Sequence, residues 1–345
     1  MTHIYELRSR LEAWPRLKLG SYPTPLEPLP NLTKQLAGPQ LWIKRDDTVG
    51  PGLGGNKARK LEFLMAEVVE KGKEKVVTFG GLQSNHARMT AAACAPLGVE
   101  AHLFYFDPRP KDFRGNLLLN QLLGARMHFI PFGGGNDGSL TIESTNRLVR
   151  MLATFRLGPG AYFIPVGGHN VLGCLGYVNA ALEIQEQLAN LRLTNHPVTV
   201  ITAAGTGGTL AGLMAGFGLV GNQVKVLGID IGKLWRAFPA SIARLASDLC
   251  SALGETHHYR PADTPVIENR YAGPGYARVS DETIIAIETM AQTEGIMLDP
   301  VYTGKAFAGL IDLIRDGRFR EHEHVVFLHT GGYPALWADE ETFAV

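Results

Sequence analysis

The feature that most constrains this chain is a regular alternation, from Leu41 onward, of short β-rich apolar runs with longer amphipathic ones. The runs LWIKR, KVVTFG, EAHLFYF, RMHFIPF, AYFIPV, VTVITAA, VKVLGIDI and HVVFLHTG are each followed by a turn rich in Gly, Asp or Asn. Between them, ARKLEFLMAEVVEKG, NHARMTAAACAPLG, VNAALEIQEQLANL and DETIIAIETMAQTEG repeat apolar residues every three to four positions, the period of a helix with one buried face. Strand, helix and strand in that order predict βαβ units, hence an α/β class built on mostly parallel sheets. Residues 198–220 carry no charge and are long enough to cross a bilayer, but glycines interrupt them at 205, 207, 208, 212 and 216. They read instead as a buried parallel strand, a glycine turn and the start of a helix.

At 345 residues the chain exceeds the roughly 100–200 of one domain, so two are expected. Glycine-rich breaks at 48–56 (TVGPGLGGN) and 166–176 (VGGHNVLGCLG) bracket a block of strand–helix units. They predict a small domain, residues 56–166, inserted into a larger one made of residues 1–55 and 167–345. Thirty-three basic residues balance thirty-three acidic ones, which argues against nucleic acid or an anionic membrane as partner and leaves a small molecule. Cys94, Cys174 and Cys250 are far apart, and the histidine pairs at 257–258 and 322–324 lack a third ligand. Neither a disulfide framework nor a metal is expected. The N-terminal segment has no secretory pattern, so the expected setting is cytoplasmic.

Four segments contain residues suited to chemistry. In GGNKARKLEFLM, Asn56 reads as an N-cap and Lys57, Arg59 and Lys60 crowd the first helical turn, where the dipole disfavours cations. A cation destabilised there moves toward the neutral amine, the form that attacks an aldehyde, although a solvated basic helix start is the ordinary explanation of such residues. In FGGLQSNHARM, a strand ends in two glycines and Gln83, Ser84, Asn85 and His86 open a helix; this is an anion site or an ordinary cap. In AAGTGGTLAG, Gly205, Thr206, Gly207, Gly208 and Thr209 join a strand to a helix and suit a phosphate. A dinucleotide fingerprint is approached, with Asp230 at the end of the next strand, but its third glycine falls on Leu210. In LDPVYTGKAF and HVVFLHTGG, Tyr302 stands at a junction where it can stack on an aromatic ligand or sit in the core.

Taken in order, GGNK-x-RKLE, QSNH, GTGGT, DPVY-x-GK and H-x-GG resemble the family of D-cysteine desulfhydrases and 1-aminocyclopropane-1-carboxylate (ACC) deaminases, over residues 24–332. These are pyridoxal 5′-phosphate (PLP) enzymes of the tryptophan-synthase β-type fold, two domains each with an open twisted sheet flanked by helices. The resemblance implies that Lys57 forms the Schiff base, that Asn85 bonds the cofactor's ring hydroxyl, and that Gly205 through Thr209 hold its phosphate. It implies that Ser84 meets the substrate carboxylate, with Asn85 and His86 beside it, and that Tyr302 and Tyr276 are active-site tyrosines. A homodimer is implied as well.

The deaminase branch has Glu after the DPVY tyrosine, Leu after the late histidine and Gln after QSN. Here Thr303, Thr330 and His86 stand instead, whereas FGGLQSN is deaminase-like. A hydroxyl beside the pyridine nitrogen leaves the ring a weaker electron sink than a carboxylate does, enough to expel thiolate. The expected reaction is β-elimination of D-cysteine to pyruvate, ammonia and hydrogen sulfide. ACC deamination, lyase activity on cysteate or β-chloro-D-alanine, a silent binding protein, and an NAD-dependent oxidoreductase built on GTGGT and Asp230 stay open.

Overall fold

The computed structural model describes residues 2–131, 140–221, 223–267 and 270–338. Its strands are β1 (Leu26–Pro28), β2 (Gln40–Lys44), β3 (Lys75–Phe79), β4 (Glu100–Tyr105), β5 (Arg126–Phe129), β6 (Tyr162–Phe163), β7 (Val198–Ala204), β8 (Lys225–Asp230), β9 (Val266–Ile267) and β10 (His324–Leu328). The helices are α1 (Thr2–Glu12), α2 (Pro30–Leu36), α3 (Lys57–Glu70), α4 (Asn85–Cys94), α5 (Asn116–Leu122), α6 (Ile142–Leu157), α7 (Val171–Asn190), α8 (Gly208–Leu219), α9 (Phe238–Ala252), α10 (Asp281–Glu294) and α11 (Thr303–Arg315).

One sheet runs β1-β2-β10-β7-β8-β9 and the other β5-β4-β3-β6. Every pairing is parallel except β1 with β2 at an edge, where Pro28 removes no ladder bond that a neighbour needs. The expected α/β class is observed. The AYFIPV run contributes only the two residues of β6, and β1 and β9 are short strands without an alternating pattern to announce them. Phe132, in the expected RMHFIPF strand, lies outside the described residues.

The uncharged stretch that is long enough for a membrane resolves into β7 and α8. No helix among the described residues is long and apolar enough to cross a bilayer. Gly208, Gly212 and Gly216 recur every fourth residue and so lie on one helical face. A Cβ at Gly212 or Gly216 would stand 2.5 Å from the Cβ of Tyr177 or Ala181 on α7, so two helix backbones meet along a stripe that side chains would separate. The second glycine-rich break is not a loop throughout: from Val171 it is helix α7. Its Gly176 admits the backbone of Arg59, which presses α3 against α7.

The same contact buries a charge network. Arg59 donates to both oxygens of Asp46 at 2.8 Å and both of Glu183 at 2.9 Å; Lys44 also pairs with Glu183, and Tyr177 donates to Asp46 at 2.6 Å. Mutual pairing holds both carboxyls below their ordinary range and the guanidinium above its own, despite burial. The network fixes the start of α3, where Lys57 stands.

Candidate active site

Lys57 opens α3 behind a backbone crossing that only glycine permits. Gly54 and Gly55 have φ of 69° and 133°, and Gly331 of the HTGG turn would bring a Cβ within 2.9 Å of the Gly55 Cα. The two glycine pairs therefore serve each other: the turn after β10 lies directly on the loop before α3, and Asn56 N–H donates to the Thr330 carbonyl at 3.1 Å. Asn56 is not the side-chain cap that its position suggests. Its Oδ1 accepts from Lys57 Nζ at 2.8 Å and its Nδ2 donates to Thr209 Oγ1 at 3.1 Å, tying the lysine to the glycine loop before α8. Tertiary partners outcompete the local cap. Lys57 keeps some accessible surface, yet the surrounding protein and neighbouring Lys60 push its amine down to about 7.

On the second sheet, β3 ends at Phe79 and leads through Gly80 and Gly81 to α4. Ser84 caps that helix, its Oγ accepting from Ala87 N–H at 3.2 Å, so the capping explanation holds for its lone pair. Asn85 is buried; its Oδ1 accepts from Asn116 Nδ2 at 3.0 Å and from Arg88, which leaves the amide NH₂ free to donate. Arg88, unnoticed in the sequence, also grips the carbonyls of Gly52 and Gly54, joining Asn85 to the glycine loop before Lys57. Its signal was one helical turn after Asn85. The His86 ring is buried and bonded through Nε2 to Thr78 Oγ1 at 2.9 Å, while its Nδ1 has no hydrogen-bond partner.

The third segment places Gly207, at φ 76°, as the cap of α8. The first intrahelical bond runs from Ala211 N–H to the Gly207 carbonyl, so the N–H groups of Gly208, Thr209 and Leu210 have no helical acceptor. Lys60, from the basic first turn of α3, reaches this end: its Nζ lies 2.7 Å from where a Gly208 Cβ would be and donates to the Gly167 carbonyl at 3.0 Å. Amides, dipole and ammonium together form an anion cradle. Leu210 stands where a dinucleotide fingerprint needs glycine because the close approach is made on β8 instead, by Gly228. Asp230 accepts the N–H groups of Gly232 and Lys233, which engages the carboxylate that a ribose would need.

Tyr302 and Tyr276 bond hydroxyl to hydroxyl and close the cleft from opposite sides. The Tyr302 ring lies 3.4 Å from a Cβ at Gly205, and Tyr276 would stand 2.7 Å from one at Gly81, so each tyrosine covers a glycine turn. Lys305, from the TGK motif, donates to the carbonyls of Ile231, Ala272 and Gly275 and so holds the loop that bears Tyr276. Thr303 corrects an expectation. Its hydroxyl donates to Asp299 Oδ1 at 2.7 Å and accepts from Asp299 N–H at 2.8 Å, and the side chain is wholly buried. It is engaged in building the turn that presents Tyr302, its one proton given to Asp299 and so not donated to a pyridine nitrogen. Thr330, two residues beyond β10, lies against Asn56 through its carbonyl. Lys57, Ser84, Asn85, the 205–209 loop and Thr330 follow the carboxyl ends of β2, β3, β7 and β10, where parallel sheets bind ligands.

A family model described as pyridoxal-phosphate dependent enzyme matches residues 17–331. The chain belongs to that family. Two relatives are D-cysteine desulfhydrases: one of Klebsiella pneumoniae subsp. pneumoniae, 37% identical across 95% of this chain and 97% of its own, and one of Yersinia enterocolitica, 38% identical across 96% and 98%. A crystal structure of an ACC deaminase homologue superposes with a TM-score of 0.84 at 32% identity, covering 98% of each chain. A tomato (Solanum lycopersicum) threonine deaminase isoform shares the fold, with a TM-score of 0.62 at 20% identity over 96% of this chain and 85% of its own.

The residues present fit the family's cofactor, PLP. An aldehyde needs an amine of lowered basicity, a phosphate needs the cradle at α8, and a ring hydroxyl needs a donor such as the Asn85 amide. One prediction follows from the sign of the Lys57 shift. Only the neutral amine attacks, so the rate at which cofactor-free protein captures PLP is expected to rise with pH through about 7 and then level off. An ordinary lysine would keep gaining rate toward pH about 10. Stopped-flow absorbance across that range checks it.

Proposed function

We propose that this PLP-dependent carbon–sulfur lyase eliminates sulfide from D-cysteine, giving pyruvate, ammonia and hydrogen sulfide with the uptake of one water. The observation that carries this reading is the hydrogen-bonded line from Lys57 through Asn56 to Thr209, which sets a reactive amine at a fixed distance from a phosphate cradle. The near-full-length similarity to D-cysteine desulfhydrases supports the substrate.

Bound PLP supplies an electron sink for the charge left at the substrate's α-carbon. Lys57 would anchor the cofactor, and its Nζ would take the α-proton of the bound substrate. Ser84 Oγ and the first N–H groups of α4 hold the carboxylate, which orients the α-proton toward Lys57. Asn85 donates to the ring hydroxyl, and Gly205, Thr206, Gly207, Gly208, Thr209 and Lys60 retain the phosphate. The Thr330 hydroxyl would be the partner of the pyridine nitrogen; a neutral partner there would suit a leaving group as good as thiolate. Tyr276, whose hydroxyl burial pushes up to about 12, stays protonated and with Tyr302 holds a proton for the departing sulfur. The cleft lies between an inserted unit, residues 56–166, which bears Ser84 and Asn85, and the rest of the chain, which bears the cradle and both tyrosines. We assign the enzyme to the cytoplasm, as a homodimer.

The test is keto-acid formation by the PLP-loaded protein from D-cysteine, L-cysteine, cysteate and ACC, side by side. Pyruvate from D-cysteine with the highest kcat/KM is expected. Release of 2-oxobutanoate from ACC without pyruvate from D-cysteine would move the enzyme to the deaminase branch, for which the ACC deaminase homologue speaks.

A further inference from the structure

One buried ring nitrogen near the N-terminus of α8 has no hydrogen-bond partner. His169 is 9% exposed, and its Nδ1 makes no hydrogen bond. The other ring nitrogen fixes the tautomer. Ser241 Oγ gives its own proton to Glu143 at 3.0 Å, so it accepts from His169 Nε2–H at 3.2 Å, which leaves Nδ1 a bare lone pair. That atom lies 3.5 Å from a Cβ built on Gly208, the first residue of α8; Lys60 Nζ and Cys174 Sγ lie 2.7 and 2.8 Å from the same point. A buried acceptor without a donor is costly, and this one is held at the cradle by a chain of bonds reaching α9 and α6.

A lone pair and a phosphate oxygen repel unless a proton lies between them. We propose that His169 is a phosphate-responsive residue: its Nδ1 shares a proton with the phosphate of bound PLP, so that binding draws one proton from solvent. This deepens the cofactor reading and rests on it. The groups packed around the ring agree with such a change. Burial and the Lys60 ammonium of α3 hold the free imidazole down to about 3, and Arg244 of α9 acts in the same direction. Glu143 of α6, paired with Arg244, and the Thr206 carbonyl favour the protonated ring, and Cys174 of α7 is kept a neutral thiol by burial. A phosphate arriving beside Lys60 opposes the main charge that keeps His169 neutral.

The experiment uses pyridoxine 5′-phosphate, which has the phosphate but no aldehyde to react with Lys57. Calorimetry at pH 8 in two buffers of different ionisation enthalpy counts the protons taken up on binding; free phosphate monoesters, with a second pKa near about 6, are dianions there. Wild type is expected to take up about one proton more than His169→Gln, whose amide supplies its own N–H. Raising the pH by one unit should weaken wild-type binding by about tenfold relative to the variant. Pyridoxine, lacking phosphate, should show no such difference. Equal proton uptake and parallel pH dependence in the two proteins would overturn the inference. Should His169→Gln fail to fold, Ser241→Ala, which frees the ring to place its proton on Nδ1, is expected to lose the same proton; retention of it counts against the idea. With PLP itself, absence of cofactor absorbance in both proteins would sink the cofactor reading. Absorbance in both with identical proton uptake removes only the role of His169.

Discussion

Replacing Lys57 with alanine is expected to abolish the visible absorbance that PLP acquires on covalent attachment and to reduce turnover by on the order of 10³- to 10⁴-fold. Lys57 serves twice in the proposed reaction, as anchor and as base, and no second amine stands at the same place. Lys60 is the nearest alternative, but its Nζ is engaged at the cradle with the Gly167 carbonyl and has the phosphate to hold. The alanine variant should fold, because Lys57 takes part in none of the buried ion pairs at the start of α3. Its phosphate cradle should still bind PLP, now reversibly. Spectra and single-turnover rates of the dialysed variant decide the matter. Undiminished turnover, or absorbance that survives dialysis, would assign the amine elsewhere.

A comparably large effect, on stability, is expected two residues further along. Arg59→Met leaves Asp46 and Glu183 buried with most of their compensating charge gone, since Lys44 reaches only Glu183. Breaking a buried pair from one side costs about 3–5 kcal/mol, enough to lower the apparent melting point by roughly 6–15 °C. The double change Arg59→Met with Asp46→Asn should recover part of this by removing one unpaired carboxylate. Thermal denaturation followed by circular dichroism provides the check. A shift below about 2 °C would mean that water or rearrangement satisfies the carboxylates, and that the network does not hold α3 in place.

His86 and Asn56 illustrate how far local reading goes. Both stand at helix starts, where capping and anion-binding roles are the ordinary expectation, and both bond partners outside their own helices: Thr78 on β3 for His86, Thr209 on α8 for Asn56. Thr303 was chosen from its place in a motif, and the motif residue is indeed structurally needed, but for Asp299 and not for a ligand. Arg88 and His169 carry no such local signal, and Lys60 reads only as one cation of a basic helix start. Each is an unremarkable polar residue in its own segment and gains meaning only because α3, α4, α7 and α8 converge.

What the sequence determined by itself was the α/β class, through the period of its apolar residues, and the cofactor family, through the order of five short segments. Both are properties of pattern, which survives when the chain is read as a line. The glycine pairs at 54–55 and 331–332 were visible too, but not their purpose, because a close approach needs two backbones and a sequence displays one at a time. Only the tertiary structure decided which side chains face the cleft. It left the Asn85 amide free and Thr303 engaged, brought Lys60 to the helix end that was expected to hold phosphate, and left the Nδ1 of His169 without a partner beside it. Hydrogen-bond competition settles such matters, and its outcome depends on distances that packing alone sets.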